Sequence, residues 1–180
     1  PAEKTLPQVL ALQAERLGSA TAIREKALGI WQRYSWKDYY RYVRQTAAGL
    51  MSLGLMRGEH VGIILNNHPE WLFSELGAQS LGAVTLNLFT SSITDELCLA
   101  LNRIQAAFVF VQDQEQVDKL LDARDRLAHV RRVIYIDPTG MRTYGSEPWL
   151  IGFSELVRMG EALEREHPDR VLQEIHKGGR

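Results

Sequence analysis

The chain has 180 residues, about the length of one domain, and a formal net charge of −1, which excludes a bulk electrostatic attraction to nucleic acid or to an anionic membrane. Its hydrophobic share of 45% is enough for a packed core, and no apolar run approaches the ~20 residues of a membrane span. The single cysteine, Cys98, excludes an internal disulfide and, with no secretory signal in view, indicates a cytoplasmic protein. Leucines around Cys98 predict a buried structural thiol and not a nucleophile.

The first elements are predicted to be a helix and a hairpin. Leucine and valine side chains recur on one side of residues 5–17, Thr5 is a good N-cap, and Gly18 can end the helix. Residues 21–26 and 30–34 then have the composition of two short strands, and Gly29 between them favours a tight turn. The pattern therefore predicts an antiparallel hairpin.

A long helix is predicted from Ser35 onward. Ser35 is a good N-cap with Asp38 three residues later, and Gly49 or Gly54 can end the helix. Its apolar face carries aromatic side chains, which could form a ligand platform but are more typical of a helix packed on a sheet, and we predict the latter. The face consists of Trp36, Tyr39, Tyr40, Val43, Ala47 and Leu50.

Short apolar runs alternate with helical patterns from residue 61 to residue 136. This alternation is typical of parallel strands joined by crossover helices, and residues 61–65, apolar on both faces, are predicted to form a central strand. The sequence therefore predicts an α/β fold, a mainly parallel sheet with flanking helices built from flavodoxin-like βαβ units. The four runs are residues 61–65, 83–86, 107–111 and 133–136.

Polar residues mark the predicted starts of the crossover helices. Pro69 suits the first helical position, with Asn67 or His68 as the N-cap. Thr94 is predicted to cap the next helix, and Asp113 and Gln116 to cap the helix after it.

The pattern changes after Asp137. Residues 138–140 are a turn signal, residues 142–148 are polar and loop-like, and residues 151–163 predict a helix with Ser154 as a candidate cap. Residues 164–180 are rich in charge and are predicted to form a polar linker or a frayed end.

No constellation of catalytic or metal-binding residues is recognisable. The chain has no G-x-x-x-x-G-K-[ST] phosphate loop, no G-x-G-x-x-G fingerprint and no G-x-S-x-G nucleophile elbow. Its five histidines are not paired at metal-ligand spacing. We therefore predict no catalytic and no metal-binding residue, and the cofactor-binding residues stay unassigned.

The end of the predicted central strand is where a ligand would be expected. Asn66, Asn67 and His68 follow that strand, and ligands of open α/β sheets bind at the carboxyl ends of strands. Residues at a helix start more often have capping or surface roles, so we predict those roles for all three.

Five segments resemble the N-terminal region of the adenylate-forming acyl-CoA synthetases, and the order of the segments makes the resemblance specific to that superfamily. Over about residues 5–136 the spacing also agrees, although Leu86-Asn87-Leu88 lacks the proline of the family's "V-P-L". The likeness of residues 113–155 favours the long-chain fatty acid–CoA ligases. The five segments are Tyr34-Ser35-Trp36-Lys37-Asp38-Tyr39, similar to "T-Y-x-E-L", Gly58-Glu59-His60-Val61-Gly62-Ile63, similar to "G-D-x-V-A-I", residues 66–71, similar to "N-S-P-E-W", Leu81-Gly82-Ala83-Val84, similar to "A-G-A-V", and Thr94-Asp95-Glu96-Leu97, similar to "x-E-E-L".

The resemblance implies a reaction and its cofactors. In this family ATP and a carboxylate, here a fatty acid, react at Mg²⁺ to give an acyl-adenylate and pyrophosphate, and the thiol of coenzyme A then displaces AMP. It implies no nucleic-acid partner, and it leaves room for a homodimer and for peripheral membrane contact of the parent protein. Two alternatives stay open: an AMP-forming ligase for another carboxylate, and a non-catalytic flavodoxin-like binding module.

The resemblance also implies that the catalytic groups lie outside the chain. In the family a phosphate loop and later motifs follow the region seen here. Residues 1–163 are therefore expected to form the first sheet layer of the large N-terminal domain, and residues 164–180 to lead to the phosphate-loop region. We expect the 180-residue piece, shortened by design or by proteolysis, to be inactive alone.

Overall fold

A computed structural model of the protein describes residues 4–27 and 29–178, and it is built from strands and helices that alternate along most of the chain. The strands are β1 Thr21–Ala27, β2 Ile30–Ser35, β3 His60–Ile64, β4 Val84–Asn87, β5 Phe108–Val111, β6 Arg132–Tyr135 and β7 Leu150–Gly152. The helices are α1 Leu6–Leu17, α2 Trp36–Ser52, α3 Pro69–Ser80, α4 Thr94–Arg103, α5 Gln114–Asp122, α6 Phe153–Glu166 and α7 Arg170–Lys177. Two short 3₁₀ turns, Arg124–Arg126 and Met141–Tyr144, flank β6.

The centre of the fold is a five-stranded sheet in the order β4-β3-β5-β6-β7, in which every neighbouring pair is parallel. β5 is buried along its whole length, because its Phe-Val-Phe-Val sequence offers an apolar side chain to both faces of the sheet. β3 is also interior, between β4 and β5. The predicted α/β fold with a parallel sheet is confirmed. The run at residues 83–86 differs in being the edge strand, where Val84 is exposed.

Helices cover both faces of the sheet. Phe73 of α3 and Leu156 of α6 belong to the core on one face, whereas Leu97 of α4 and Leu120 of α5 belong to the core on the other. α2 lies outside α3 and α6 and packs on these helices instead of directly on the sheet, which corrects the predicted sheet contact of its aromatic face. No helix in the described ranges combines the length and the apolar character that crossing a membrane requires.

The predicted hairpin is confirmed as β1 and β2, paired antiparallel around Gly29, whose φ of 81° is a conformation that glycine adopts readily. The predicted N-cap of α2 is also confirmed. The Ser35 hydroxyl accepts from the Asp38 N–H at 3.1 Å, and an Asp38 carboxylate oxygen accepts from the Ser35 N–H at 3.0 Å. The helix ends at Ser52 and Gly54 takes a positive φ of 86°, so Gly54 and not Gly49 provides the terminating glycine.

Replacing Ser35 by alanine should destabilise the fold by about 1 kcal/mol at neutral pH, because the first turn of α2 loses its cap. Hydrogen bonds from the Ser35 side chain and backbone lower the pKa of Asp38. A lowered carboxylate pKa contributes stability above its unfolded value of about 4 and loses it as pH falls through the folded value. The Ser35→Ala deficit in urea unfolding should therefore shrink at acidic pH. A deficit that stays constant down to pH values where Asp38 is protonated would contradict this linkage.

Three predicted caps differ from the structure. Gly152 and not Ser154 occupies the N-cap position of α6. His68 is the N-cap residue of α3, but its side chain makes no capping hydrogen bond. Thr94 is the first residue of α4, and Ile93 occupies the N-cap position. Asp113 caps α5 as predicted, accepting from the Gln116 N–H at 3.3 Å.

The C-terminal part is more ordered than the sequence predicts. The helix expected from residue 151 begins at Phe153, because residues 150–152 instead pair with β6 as the short edge strand β7. Within the described residues, the segment expected to be a polar linker or a frayed end is largely helical. α6 runs to Glu166, and α7 packs Val171 and Ile175 into the core, since an i, i+4 apolar pair gives this charged segment one buried side.

Candidate functional site

The candidate site lies where the order of the strands reverses. From β3 the chain crosses to β4 on one side, and from β4 it crosses back over β3 to β5 on the other. The helices after β3 and β5, α3 and α5, consequently lie on opposite faces of the sheet. In open α/β sheets such a reversal separates the two following loops and opens a ligand crevice at the carboxyl ends of the strands.

Three loops meet at this crevice through amide and hydroxyl groups. The Asn66 N–H donates to the Gln112 side-chain oxygen at 3.1 Å, which joins the loops after β3 and β5. The Thr90 hydroxyl, in the loop after β4, donates to the Asn66 side-chain oxygen at 3.0 Å. The structure therefore brings the predicted candidate Asn66 together with two residues that sequence reasoning did not single out. Asn67 is exposed beside them.

Lys119 of α5 fixes the loop after β4. Its ammonium group donates to the carbonyl oxygens of Thr90 at 3.0 Å and Ser92 at 3.3 Å, and it forms an ion pair with Glu115 at 2.8 Å. Because the Lys119 ammonium group contacts two carbonyl oxygens and a carboxylate, its role is to hold the loop after β4 in place. The same loop carries Phe89, whose side chain is 80% exposed next to the polar cluster.

His68 is directed away from the crevice. Its Nδ1 lies 2.6 Å from a carboxylate oxygen of Glu25 on β1, so this contact attaches the hairpin to the start of α3. Burial, followed by the Glu25 charge, raises the pKa of Glu70 nearby. Burial and the charges of Glu70 and Glu25 raise the pKa of Tyr34 to about 12. Acidic groups are thus concentrated beneath the hairpin, where the His68 ring contacts the Glu25 carboxylate.

The residues at the strand ends do not fit the phosphates of a nucleotide. α3 begins with Pro69, which has no N–H to donate, and the first turn of α5 is occupied by the Asp113 carboxylate, which would repel an anion. The space next to Gly140 is filled by the side chain of Gln114. The donor set also does not fit Mg²⁺, because no group of three or more His, Cys, Asp or Glu within residues 4–27 and 29–178 is arranged around a common point.

One signal could have found Thr90 and Gln112 in the sequence. Both follow parallel strands, and the carboxyl ends of parallel strands meet at one edge of a sheet. Applying that rule to every predicted strand, and not only to the central one, would have grouped them with Asn66. Cys98 is buried as predicted, and burial raises the pKa of its thiol, which disfavours the thiolate form.

Two surface clefts lie away from the strand carboxyl ends. The larger, of about 1140 Å³, runs between α1, α2 and α7 and is bordered by residues such as Leu12, Tyr40 and Leu172. The smaller, of about 340 Å³, lies at the amino ends of the strands beside the Glu59–Arg131 ion pair, with His60 and His129. Neither includes the residues of the three loops.

Comparison with protein families gives a match over nearly the whole chain. The family described as "AMP-binding enzyme" matches residues 10–172. This range contains every strand of the sheet and the three loops at the reversal point.

Individual relatives agree with the family match. The long-chain-fatty-acid–CoA ligase ACSBG1 of Bos taurus is 29% identical over 94% of this chain and 23% of its own length. The long-chain-fatty-acid–CoA ligase ACSBG2 of Xenopus laevis is 27% identical over 95% of this chain and 22% of its own length. The crystal structure of the anthranilate CoA ligase AuaEII in complex with anthranoyl-AMP has the same fold, with a TM-score of 0.75 at 20% identity over 88% of this chain and 28% of that one. The chain thus spans less than a quarter of the length of these curated relatives.

Proposed function

Because the chain belongs to the AMP-binding enzyme family, we propose that it is part of an AMP-forming long-chain fatty acid–CoA ligase. The reaction consumes ATP, a fatty acid and coenzyme A and yields acyl-CoA, AMP and pyrophosphate through an acyl-adenylate. The observation that carries the proposal is the match of 94% of the chain to a relative named as such a ligase.

In this proposal the chain supplies scaffold and not reacting groups. The loops after β3, β4 and β5 are tied together by Asn66, Thr90 and Gln112, so they form a fixed edge against which a substrate region can be built. The exposed ring of Phe89 at that edge supports an apolar neighbour, such as an acyl chain or a further part of the same enzyme. ATP, Mg²⁺ and coenzyme A would then be bound mainly by groups outside residues 4–178.

ATP–pyrophosphate exchange on the product of the full coding sequence tests the proposal. The assay contains Mg²⁺ and a panel of carboxylic acids: palmitate, octanoate, benzoate and anthranilate. We expect exchange that depends on palmitate in the full-length product. The 180-residue chain, tested in parallel, should give none, because no phosphate cradle or metal ligand set occurs within its described residues.

The panel also separates the alternatives. Exchange with benzoate or anthranilate and not with palmitate would keep the ligase chemistry and replace the substrate class. Exchange with no acid at all, in a folded full-length protein, would contradict the ligase and favour a non-catalytic binding module. Exchange by the 180-residue chain alone would overturn the scaffold role.

A further inference from the structure

One face of the hairpin carries a concentration of positive charge. Arg24 lies directly opposite Arg33 in the antiparallel register, and Lys26 lies directly opposite Trp31. Since alternate residues of a strand point to one face, these four side chains share the face that is turned away from α3, and all four are exposed. We call Arg24, Lys26, Trp31 and Arg33 the basic ribbon face.

Among the described residues, the charges on this face are not balanced by ion pairs. None of the ion pairs in the described ranges involves Arg24, Lys26 or Arg33. Glu25, the one acidic residue of the hairpin, is on the opposite face and is paired with His68. Like charges directly opposite each other destabilise a strand pair, so the Arg24–Arg33 arrangement is unfavourable for the isolated ribbon. An anionic ligand would reverse that penalty.

An exposed indole completes the face. Trp31 is 55% exposed, and the Arg24 guanidinium lies over its ring, 5.0 Å from the centroid. Tryptophan is favoured at the boundary between water and lipid, where its ring contacts apolar groups and its N–H stays hydrated.

The ribbon is held as a rigid support. Tyr34 on β2 packs edge-on against Phe73 of α3 at 5.6 Å, and Glu25 contacts His68 at 2.6 Å. The basic ribbon face is therefore presented at a fixed orientation, with the indole and the cations side by side.

We propose that the basic ribbon face docks the protein on an anionic lipid bilayer. Each Lys or Arg near such a surface adds to the attraction, and Trp31 enters the interfacial layer. The attraction is local and is consistent with the whole-chain charge of −1, because it acts only within a Debye length. Membrane docking goes beyond the proposed ligase activity and would place the enzyme where long-chain fatty acids partition. Docking is measured without substrate, so a negative result for docking would not contradict the ligase activity.

Vesicle flotation tests the docking. The chain is mixed with vesicles of phosphatidylcholine containing phosphatidylserine, and with vesicles of phosphatidylcholine alone. We expect binding only to the anionic vesicles, weakening as salt is raised, and a loss of about tenfold or more in the Arg24→Glu/Arg33→Glu variant. The matched control is Arg103→Glu/Arg158→Glu, which makes the same charge change at two exposed arginines on α4 and α6 that form no ion pair among the described residues.

A second readout does not depend on charge reversal. Brominated lipids quench tryptophan at the interface, so they should quench the wild type more than a Trp31→Phe variant, which keeps the basic residues. Equal binding of the charge-reversed variant and the wild type, equal binding to both kinds of vesicle, or no binding would each overturn the proposal. A further result would also overturn it: the wild type binds soluble tripolyphosphate but not vesicles, and the Arg24→Glu/Arg33→Glu variant does not bind tripolyphosphate.

Discussion

Replacing Gly160 by alanine should lower the free energy of unfolding by about 3 kcal/mol, because two helices touch there through their backbones. A Cβ built on Gly160 of α6 overlaps the backbone oxygen of Gln45 on α2, and one built on Gly49 overlaps the backbone oxygen of Leu156. A backbone oxygen within a helix cannot rotate aside as a side chain can. The helices must therefore separate, which disturbs the Arg44–Glu164 ion pair of 2.8 Å beside the contact.

Urea unfolding followed by circular dichroism measures this loss. Ser154→Ala is the matched control, since it places the same side chain at an exposed position of the same helix and should change stability by no more than about 0.5 kcal/mol. A Gly160→Ala variant as stable as Ser154→Ala would show that α2 and α6 are not in backbone contact in solution.

Replacing Phe73 by alanine should destabilise the protein by about 4 kcal/mol, because it opens a cavity among aromatic rings. Phe73 is 1% exposed and its ring stacks on Tyr42 at 4.8 Å between centroids. It also packs against Tyr34 at 5.6 Å and Tyr39 at 5.9 Å. One side chain of α3 therefore joins the hairpin and α2 to the sheet layer.

The same substitution at Phe89, which is 80% exposed, is the control and should cost less than about 0.5 kcal/mol. Alkaline titration gives a second readout. Burial is the main cause that raises the pKa of both Tyr34 and Tyr39 to about 12. Because this folded pKa lies above the unfolded value of about 10, the stability that the two protonated tyrosines contribute is present below pH ~10 and is lost as pH rises through the folded pKa. Loosening the cluster should lower these pKa values and weaken the alkaline dependence. Unchanged tyrosine titration in Phe73→Ala would contradict the assigned packing.

The sheet could be predicted because its signal is local. β3 and β5 consist almost entirely of apolar side chains, and only a strand with neighbours on both edges buries both of its faces. The hairpin was equally readable from Gly29 between two runs of strand composition, and the capping box of α2 from Ser35 and Asp38.

The elements that were missed depend on distant partners. β7 has three residues, too few for a recognisable period, and it exists because Ile151 pairs with Ile134 of β6. α7 has only Val171 and Ile175 as buried residues among charged neighbours, so its order comes from the surface it covers. In the same way, no local pattern reveals that Gln112 accepts from Asn66, 46 positions earlier in the chain.

The candidate site was predictable in place but not in composition. The strand-end rule pointed to Asn66, Asn67 and His68, although capping or surface roles were predicted for them, and Asn66 contacts the loops after β4 and β5. For His68 it fails, because the partner that captures its ring is Glu25 on the hairpin, 43 positions away. The rule for parallel sheets says where loops converge, whereas the contacts between side chains depend on how far each loop extends.

The seating of α2 on α6 also constrains the order in which the protein can fold. Arg44 meets Glu164 across 120 positions of sequence, and the whole sheet lies between them in the chain. During synthesis α2 leaves the ribosome long before α6, so the side of α2 that packs on α6 stays uncovered until β3 to β7 have been made. Closing so long a loop is slow compared with forming a helix or a hairpin. The aromatic side chains of α2 can pack on Phe73 of α3 much earlier, whereas the side of α2 at Gly49 is covered only when α6 has been made.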